Sequence, residues 1–279
     1  LGLFPRFSKH KNKTTTLKSG RTIQPSTEAY LIYFRQGNIG IDKDVVHLRP
    51  YEGKVWCLKV KDHKNFIVER GGTMAFCGNT DEVYGPVLEG AVDEGAPLVP
   101  RSPYAASKAA GDLLVQACHA TSQVPAIIVR PTNIYGPGQF PEKFLPLMIT
   151  NLLDGRPVPI YGDGQQRRSW LFITDLCEAL IRLLEQGQPG EVYNVGSGHE
   201  QPNLDTVRQV LALMGASSEL IQFVQDRPGH DRRYAMRDDR LRALGWRPRT
   251  PFAQGLAQTV AWYRAHEEWW RPLAQGLRE

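Results

Sequence analysis

From Asn79 onward the chain alternates short apolar runs with segments of helical period, and this alternation restricts its fold more than any other feature. Ser102-Pro103 opens a helix-like run over 104–119, with Leu113, Leu114, Ala117 and Cys118 on an apolar face. Residues 126–129 are a short apolar run and read as a buried strand. The pattern then predicts a helix over 142–153 and a strand over 157–161 that ends at Gly162-Asp163-Gly164. A helix over 175–186 and a strand over 192–195 follow. Residues 204–214, 237–244 and 252–270 read as helices. Strands alternating with helices predict an α/β chain with a largely parallel sheet.

Residues 1–78 read differently. The first 28 are polar, basic and without period, which predicts loop or disorder. Short β-rich runs follow at 29–34, 45–48, 55–60, 66–69 and 73–77. The formal charge of +5 is unevenly distributed. Residues 1–78 carry 14 Lys and Arg against 6 Asp and Glu, so the remainder is net acidic. That distribution excludes a uniform basic coat for nucleic acid. The run Lys9-His10-Lys11-Asn12-Lys13, with Tyr30, Tyr33 and Phe34 nearby, could suit a single strand. A solvated basic tail accounts for the same residues, and nucleic acid is not an expected partner. No apolar run approaches the ~18 residues of a membrane span. The opening LGLFPRFSKHKNK carries charge where a signal peptide needs its apolar run, so none is expected. Cys57, Cys77, Cys118 and Cys177 lack metal-site spacing and predict reduced thiols in a cytoplasmic protein, with no metal.

Two short motifs carry chemistry. The first is Asn79-Thr80-Asp81-Glu82-Val83-Tyr84-Gly85, and the second is Ser102-Pro103-Tyr104-Ala105-Ala106-Ser107-Lys108. Tyr104 and Lys108 are four residues apart and share one helix face. An ammonium beside a phenol favours tyrosinate, so the spacing predicts a lowered Tyr104 pKa. Such a phenol can take a proton from a sugar hydroxyl while hydride leaves the same carbon. Asp81 and Glu82 adjoin the Thr80 hydroxyl after a plausible strand, where α/β sheets place ligands. Two carboxyls in different environments can divide acid and base duties.

Together these motifs resemble the active-site pairing of the dTDP-glucose 4,6-dehydratases, extended short-chain dehydrogenase/reductases of the NAD-dependent epimerase/dehydratase family. The resemblance continues through Arg130-Pro131-Thr132-Asn133-Ile134-Tyr135-Gly136-Pro137 and Gln139-Phe140-Pro141-Glu142-Lys143-Phe144. It extends to Pro159-Ile160-Tyr161-Gly162-Asp163-Gly164, Arg168-Ser169-Trp170 and Gly190-Glu191-Val192-Tyr193-Asn194-Val195-Gly196. The run Asp226-Arg227-Pro228-Gly229-His230-Asp231-Arg232-Arg233-Tyr234 completes it, so that it covers residues 79–273.

The resemblance implies NAD as cofactor and a redox-neutral dehydration of dTDP-glucose to the 4-keto-6-deoxy sugar nucleotide. It assigns catalysis to Thr80, Asp81, Glu82, Tyr104 and Lys108, and cofactor contacts to Tyr104, Lys108 and Ile134. Tyr104 would take the C4 hydroxyl proton, with Thr80 bonding the C4 oxygen. Lys108 would hold the nicotinamide ribose. Glu82 would remove the C5 proton and Asp81 would protonate the departing C6 hydroxyl. Asn133, Lys143, Phe144, Pro159, Tyr161, Arg168, Asn194, Arg227 and His230 would contact the nucleotide-sugar substrate. Arg168 and Arg227 suit its diphosphate, because guanidinium forks match phosphate oxygens. Ser169 stands where the family carries an acidic residue, and Ile134 replaces a common Asn.

The family begins with a strand and a glycine-rich turn that brings the NAD pyrophosphate to a helix amino end. Residues 1–78 contain no such turn: Gly37 and Gly40 lack a third glycine, and Gly71, Gly72 and Gly78 are wrongly spaced. The expected fold is therefore α/β, a partial Rossmann-like parallel sheet lacking its usual N-terminal half, plus a smaller sugar-nucleotide-binding region. Residues 1–78 would form a basic, β-rich segment unrelated to the family, as in a truncated, rearranged or frame-shifted chain. Residues 79–279 would form the dehydratase part. Two alternatives stay open: a sugar-nucleotide binder without turnover, and a related epimerase. The carboxylate pair favours dehydration over epimerisation. The family also implies a homodimer through the Tyr-Lys helix.

Overall fold

The computed structural model describes backbone strands within residues 6–77, and residues 80–227 and 229–275 in full. In the first part β1 (Arg6–Lys9) pairs antiparallel with β4 (Tyr30–Tyr33), and β2 (Thr15–Thr16) with β3 (Thr22–Ile23). Part of the stretch expected to be loop is thus strand backbone. The runs expected at 45–48 and 55–60 lie outside the described residues, as does the Lys9–Lys13 side-chain cluster.

β5 (Phe66–Arg70) and β6 (Thr73–Cys77) lead into a 3-10 turn, Asp81–Tyr84, and then α1 (Pro103–Ser122). β7 (Ala126–Pro131), β8 (Asn133–Tyr135), α2 (Phe144–Leu153) and β9 (Val158–Tyr161) follow. Next are β10 (Arg167–Phe172), α3 (Ile173–Gln186), β11 (Val192–Val195), β12 (Glu200–Pro202) and α4 (Asn203–Met214). β13 (Ile221–Val224), α5 (Asp239–Ala243), α6 (Phe252–Ala265) and α7 (Glu267–Gln275) complete the chain.

The main sheet has the order β11-β7-β6-β5. β6, β7 and β11 are parallel, as the alternating pattern predicts. β5 is antiparallel to β6, with Phe66 opposite Cys77 and Arg70 opposite Thr73. In this chain the position beside β6 belongs to a strand that runs the other way, with only Gly71-Gly72 between them in sequence. The partial Rossmann-like parallel sheet is present, and among the described residues its β5 flank is antiparallel.

Smaller sheets form the second region: β12-β10-β8 and the parallel pair β9 and β13. One core lies among α2, α4, α6, α7, β9 and β10, and centres on Met148, Ile149, Val207, Leu256 and Trp270. A second core joins Ile127, Val129, Leu171, Leu180, Leu183 and Val195 between the main sheet and α3. Close packing of α6 on β8 and β10 depends on Gly255, because a Cβ there would collide with the Tyr135 hydroxyl and the Phe172 ring.

The expected helix over 252–270 is two helices. His266 leaves helical geometry at φ −131°, and its Nδ1 lies 2.8 Å from the Trp262 carbonyl, substituting a side chain for the next backbone bond. The expected helix over 237–244 is the shorter α5. β8, β10, β12 and β13 were not legible as strands. β10 starts with Arg167-Arg168-Ser169, and a polar run gives no strand signal even though Arg168 and Ser169 are buried.

Candidate active site

The carboxyl end of β6 delivers the 3-10 turn. Thr80 caps it: its Oγ1 accepts from the Glu82 N–H at 3.3 Å and donates to Asp81 Oδ1 at 3.1 Å. Gly85 ends the turn at φ 74°, and a Cβ there would strike the Val99 carbonyl. The turn thus holds its two carboxyls in fixed and unequal settings. Asp81 is buried, whereas Glu82 is half-buried.

α1 begins as its sequence dictates. Ser102 Oγ accepts from the Ala105 N–H at 3.0 Å, and Pro103 occupies the first turn, where no amide donor is needed. Tyr104 and Lys108 then share a face. Lys108 is buried, and its ammonium lies 5.4 Å from the centre of the Tyr104 ring. Tyr84 at the end of the turn donates to Asn194 Oδ1 at 2.8 Å and accepts from Arg130 Nη1 at 2.7 Å. Arg130 in turn pairs with Asp112 on α1. One buried guanidinium therefore links the turn, the helix and β7.

The electrostatics bring these groups together. Burial raises the Asp81 carboxyl from 3.8 to about 7, and the neighbouring Glu82 charge adds to this, while Arg168 opposes it. Burial also raises Glu82, against Arg168, Arg227 and Lys143, with the Asp231 charge adding to the rise. Tyr104 is pushed up to about 12 by burial, then by the Glu82 and Asp81 charges. The expected lowering of its pKa is not what the protein shows. The i to i+4 spacing registers Lys108 but neither the desolvation nor the two carboxylates facing the phenol.

Across from the turn, Arg168 of β10 is buried against the Tyr234 ring, 4.6 Å from ring centre to guanidinium carbon. Its Nη2 donates to the Asp231 carbonyl at 3.0 Å and lies 3.0 Å from His230 Nε2. Asp81, Glu82 and Arg227 act on it through charge. Tyr161 sets its ring edge-on to His230, with centroids 6.2 Å apart. Phe144 stacks on Trp170 at 5.7 Å, and Lys143 pairs with Glu142 at 2.7 Å. Pro159 precedes Tyr161 on β9, half-buried. Asn133 on β8 has a buried Oδ1 with no hydrogen-bond partner in the protein.

Two expected site residues stand apart. Asn194 is fully buried, and both ends of its amide are engaged: Oδ1 with Tyr84 and Nδ2 with the Arg237 carbonyl at 2.9 Å. It braces the turn from β11. Ile134 packs against the core beside α3. Sequence reasoning did not single out Gln166, Asn203 or Tyr234. Gln166 and Asn203 are buried and each keeps an amide oxygen without a partner. Gln166 lies two residues before Arg168, a spacing that could have flagged it as sharing a strand face.

At its nicotinamide end the residue set fits NAD, because Tyr104 is partly exposed beside a buried ammonium. Among the described residues, the strand that flanks β6 on its other side, β5, is antiparallel to it. Among the described residues no group of His, Cys, Asp and Glu could hold a metal ion, and no helix is long and apolar enough to cross a membrane.

A parallel-sheet strand delivering an acidic turn to a Tyr-Lys helix agrees with the family comparison. Residues 67–196 match the model of the NAD dependent epimerase/dehydratase family. The chain is similar to a dTDP-glucose 4,6-dehydratase of Streptomyces niveus, 50% identical over 196 residues, which cover 70% of this chain and 58% of that one. Among solved structures it is similar to the Bacillus anthracis dTDP-glucose 4,6-dehydratase in complex with NAD, at 46% identity and a TM-score of 0.67. That match covers 70% of this chain and 63% of the other. A UDP-glucuronic acid 4-epimerase of Bacillus cereus is more distant, at 28% identity and a TM-score of 0.64, with 67% and 60% covered. The chain spans about three fifths of the length of the curated relatives it matches.

Proposed function

We propose that this chain carries the sugar-nucleotide site and the acid–base groups of a dTDP-glucose 4,6-dehydratase. One observation carries the reading. Two adjacent carboxyls, one buried and one partly open, face a single buried guanidinium and a helix-borne phenol.

Arg168, with Arg227 at the exposed rim, neutralises the diphosphate of the substrate. Asn133, Lys143, Phe144, Pro159 and Tyr161 line the path of the nucleotide and sugar, and His230 stands behind Arg168. Thr80 bonds the C4 oxygen, and Tyr104 takes the C4 hydroxyl proton once a neutral Asp81 and the Lys108 ammonium beside it let its raised phenol ionise. Glu82 takes the proton from C5. Asp81, raised to about 7 and so part-protonated near neutrality, gives its proton to the C6 hydroxyl as water leaves. When bound, NAD would supply reversible hydride transfer from C4 to C6, and Glu82 would return its proton to C5 as the hydride reaches C6. Lys108 and Tyr104 would hold the nicotinamide ribose. A neutral Asp81 removes one of the charges that raise Tyr104, so the acid and the phenol are coupled.

A 4-epimerase has no use for the second carboxyl, which favours dehydration among family activities. We also propose a cytoplasmic homodimer. Leu113 and Leu114 on α1 are more than half exposed, and a second copy would cover them.

The test is incubation of the purified chain with dTDP-glucose and NAD, followed by proton NMR for the C6 methyl group of the product. Appearance of the methyl signal supports dehydration. The direction of β5 favours a second reading, a sugar-nucleotide binder without turnover, in which dTDP binds and no methyl signal forms. If neither binding nor product is seen, both readings fail.

A further inference from the structure

We propose that Asp226 is a positioning residue that orients Arg168 toward a diphosphate by fixing the tautomer of His230. The proposal rests on the assignment of Arg168 to the nucleotide-sugar diphosphate.

The geometry leaves one consistent arrangement of protons. Arg168 Nη2 lies 3.0 Å from His230 Nε2, and a guanidinium nitrogen can only donate. His230 Nε2 must therefore present its lone pair, which places the imidazole proton on Nδ1. That atom lies 2.7 Å from Asp226 Oδ1, a carboxylate able to accept it. Asp226 is itself held from two sides. Gln166 Nε2 donates to its Oδ2 at 2.8 Å, and the Arg227 N–H donates to its Oδ1 at 2.9 Å. The result is a line of hydrogen bonds from Gln166 through Asp226 and His230 to Arg168. The His230 side chain is 5% exposed, so water does not readily replace either bond.

The surroundings keep the imidazole neutral. Burial lowers its pKa, and Arg227 on its own segment and Arg168 on β10 act in the same direction, against Asp226. Tyr161 on β9 adds only a ring edge. His230 was expected to touch substrate, yet its Nε2 already faces Arg168. Its contribution passes through the guanidinium, as an outer partner orients a metal ligand.

Two measurements test the proposal. The first is nitrogen-15 NMR of the imidazoles in the full chain without ligand, assigned with His230→Gln. The Nδ1–H form of His230 in the wild type, lost or mixed in Asp226→Asn, supports the relay. The Nε2–H form in the wild type overturns it.

The second is calorimetry with dTDP from pH 5 to 8. Asp226→Asn should weaken binding about tenfold at pH 7, the size of one charge-assisted hydrogen bond. In the wild type, affinity should fall toward low pH as His230 protonates and turns a donor toward Arg168. His230→Gln, which can accept from Arg168 and donate to Asp226, should keep binding and flatten the pH profile. Wild-type affinity and pH profile in a folded Asp226→Asn chain overturn the relay's effect on binding. If Arg168→Ala binds dTDP as the wild type does, the diphosphate assignment fails, while the tautomer measurement still decides the relay itself.

Discussion

Arg130 and Asp112 form an ion pair that is almost entirely buried, with Nε 2.7 Å from Oδ2 and neither side chain more than 2% exposed. The pair fastens α1, one turn beyond Lys108, to β7, and through Tyr84 it also reaches the acidic turn. Removing one partner leaves an uncompensated buried charge. Asp112→Ala should cost about 3–5 kcal/mol of stability. Urea unfolding followed by circular dichroism checks this, and a loss below about 1 kcal/mol would contradict the buried-clamp account.

Asp81 gives stability a defined pH dependence. Its folded pKa of about 7 lies above the ordinary 3.8, so between these values the folded state holds a proton that the unfolded state has released. Stability contributed by this group is therefore fully present below about pH 4 and lost as pH rises through 7. The loss is on the order of 4 kcal/mol. Asp81→Asn should remove it, so the variant gains on the wild type in Tm as pH goes from 5 to 8. Parallel Tm curves for the two proteins would show that Asp81 is not buried as described.

The proton-transfer roles make a further pair of expectations. Tyr104→Phe and Glu82→Gln should each lower turnover by about 10²–10⁴-fold while dTDP affinity stays near the wild-type value. Steady-state rates paired with calorimetry separate the two effects. A variant that loses binding in proportion to rate would move its residue from catalysis to recognition.

Gly255→Ala tests the packing that sets β8 behind the site. The new methyl would press on the Tyr135 hydroxyl and the Phe172 ring, so overpacking should cost about 1–3 kcal/mol. Thermal unfolding reads this directly, and an unchanged Tm would mean that α6 can move away without penalty.

Much of the site was legible in the residues because its signals are local. Ser102-Pro103 announces the start of α1, and i to i+4 spacing puts Tyr104 and Lys108 on one face. Thr80 beside two acids announces a capped turn. What the sequence could not show depends on contacts distant along the chain. The Tyr104 pKa direction is set by burial and by carboxylates more than 20 positions away. Asn194 sits in a motif that suggests a ligand, yet Tyr84 and Arg237 engage its amide. β10 was hidden because Arg168 and Ser169 read as surface residues until Tyr234, His230 and Ser197 bury them. The antiparallel course of β5 follows from pairing that no periodicity encodes.

The most direct test is calorimetric titration of dTDP-glucose into the wild-type chain and into Arg168→Ala, with an unrelated nucleotide sugar as control. The account predicts saturable binding to the wild type, at least about tenfold weaker binding to the variant, and a clear preference for dTDP-glucose. Equal binding to both proteins, or no preference over the control, would contradict it.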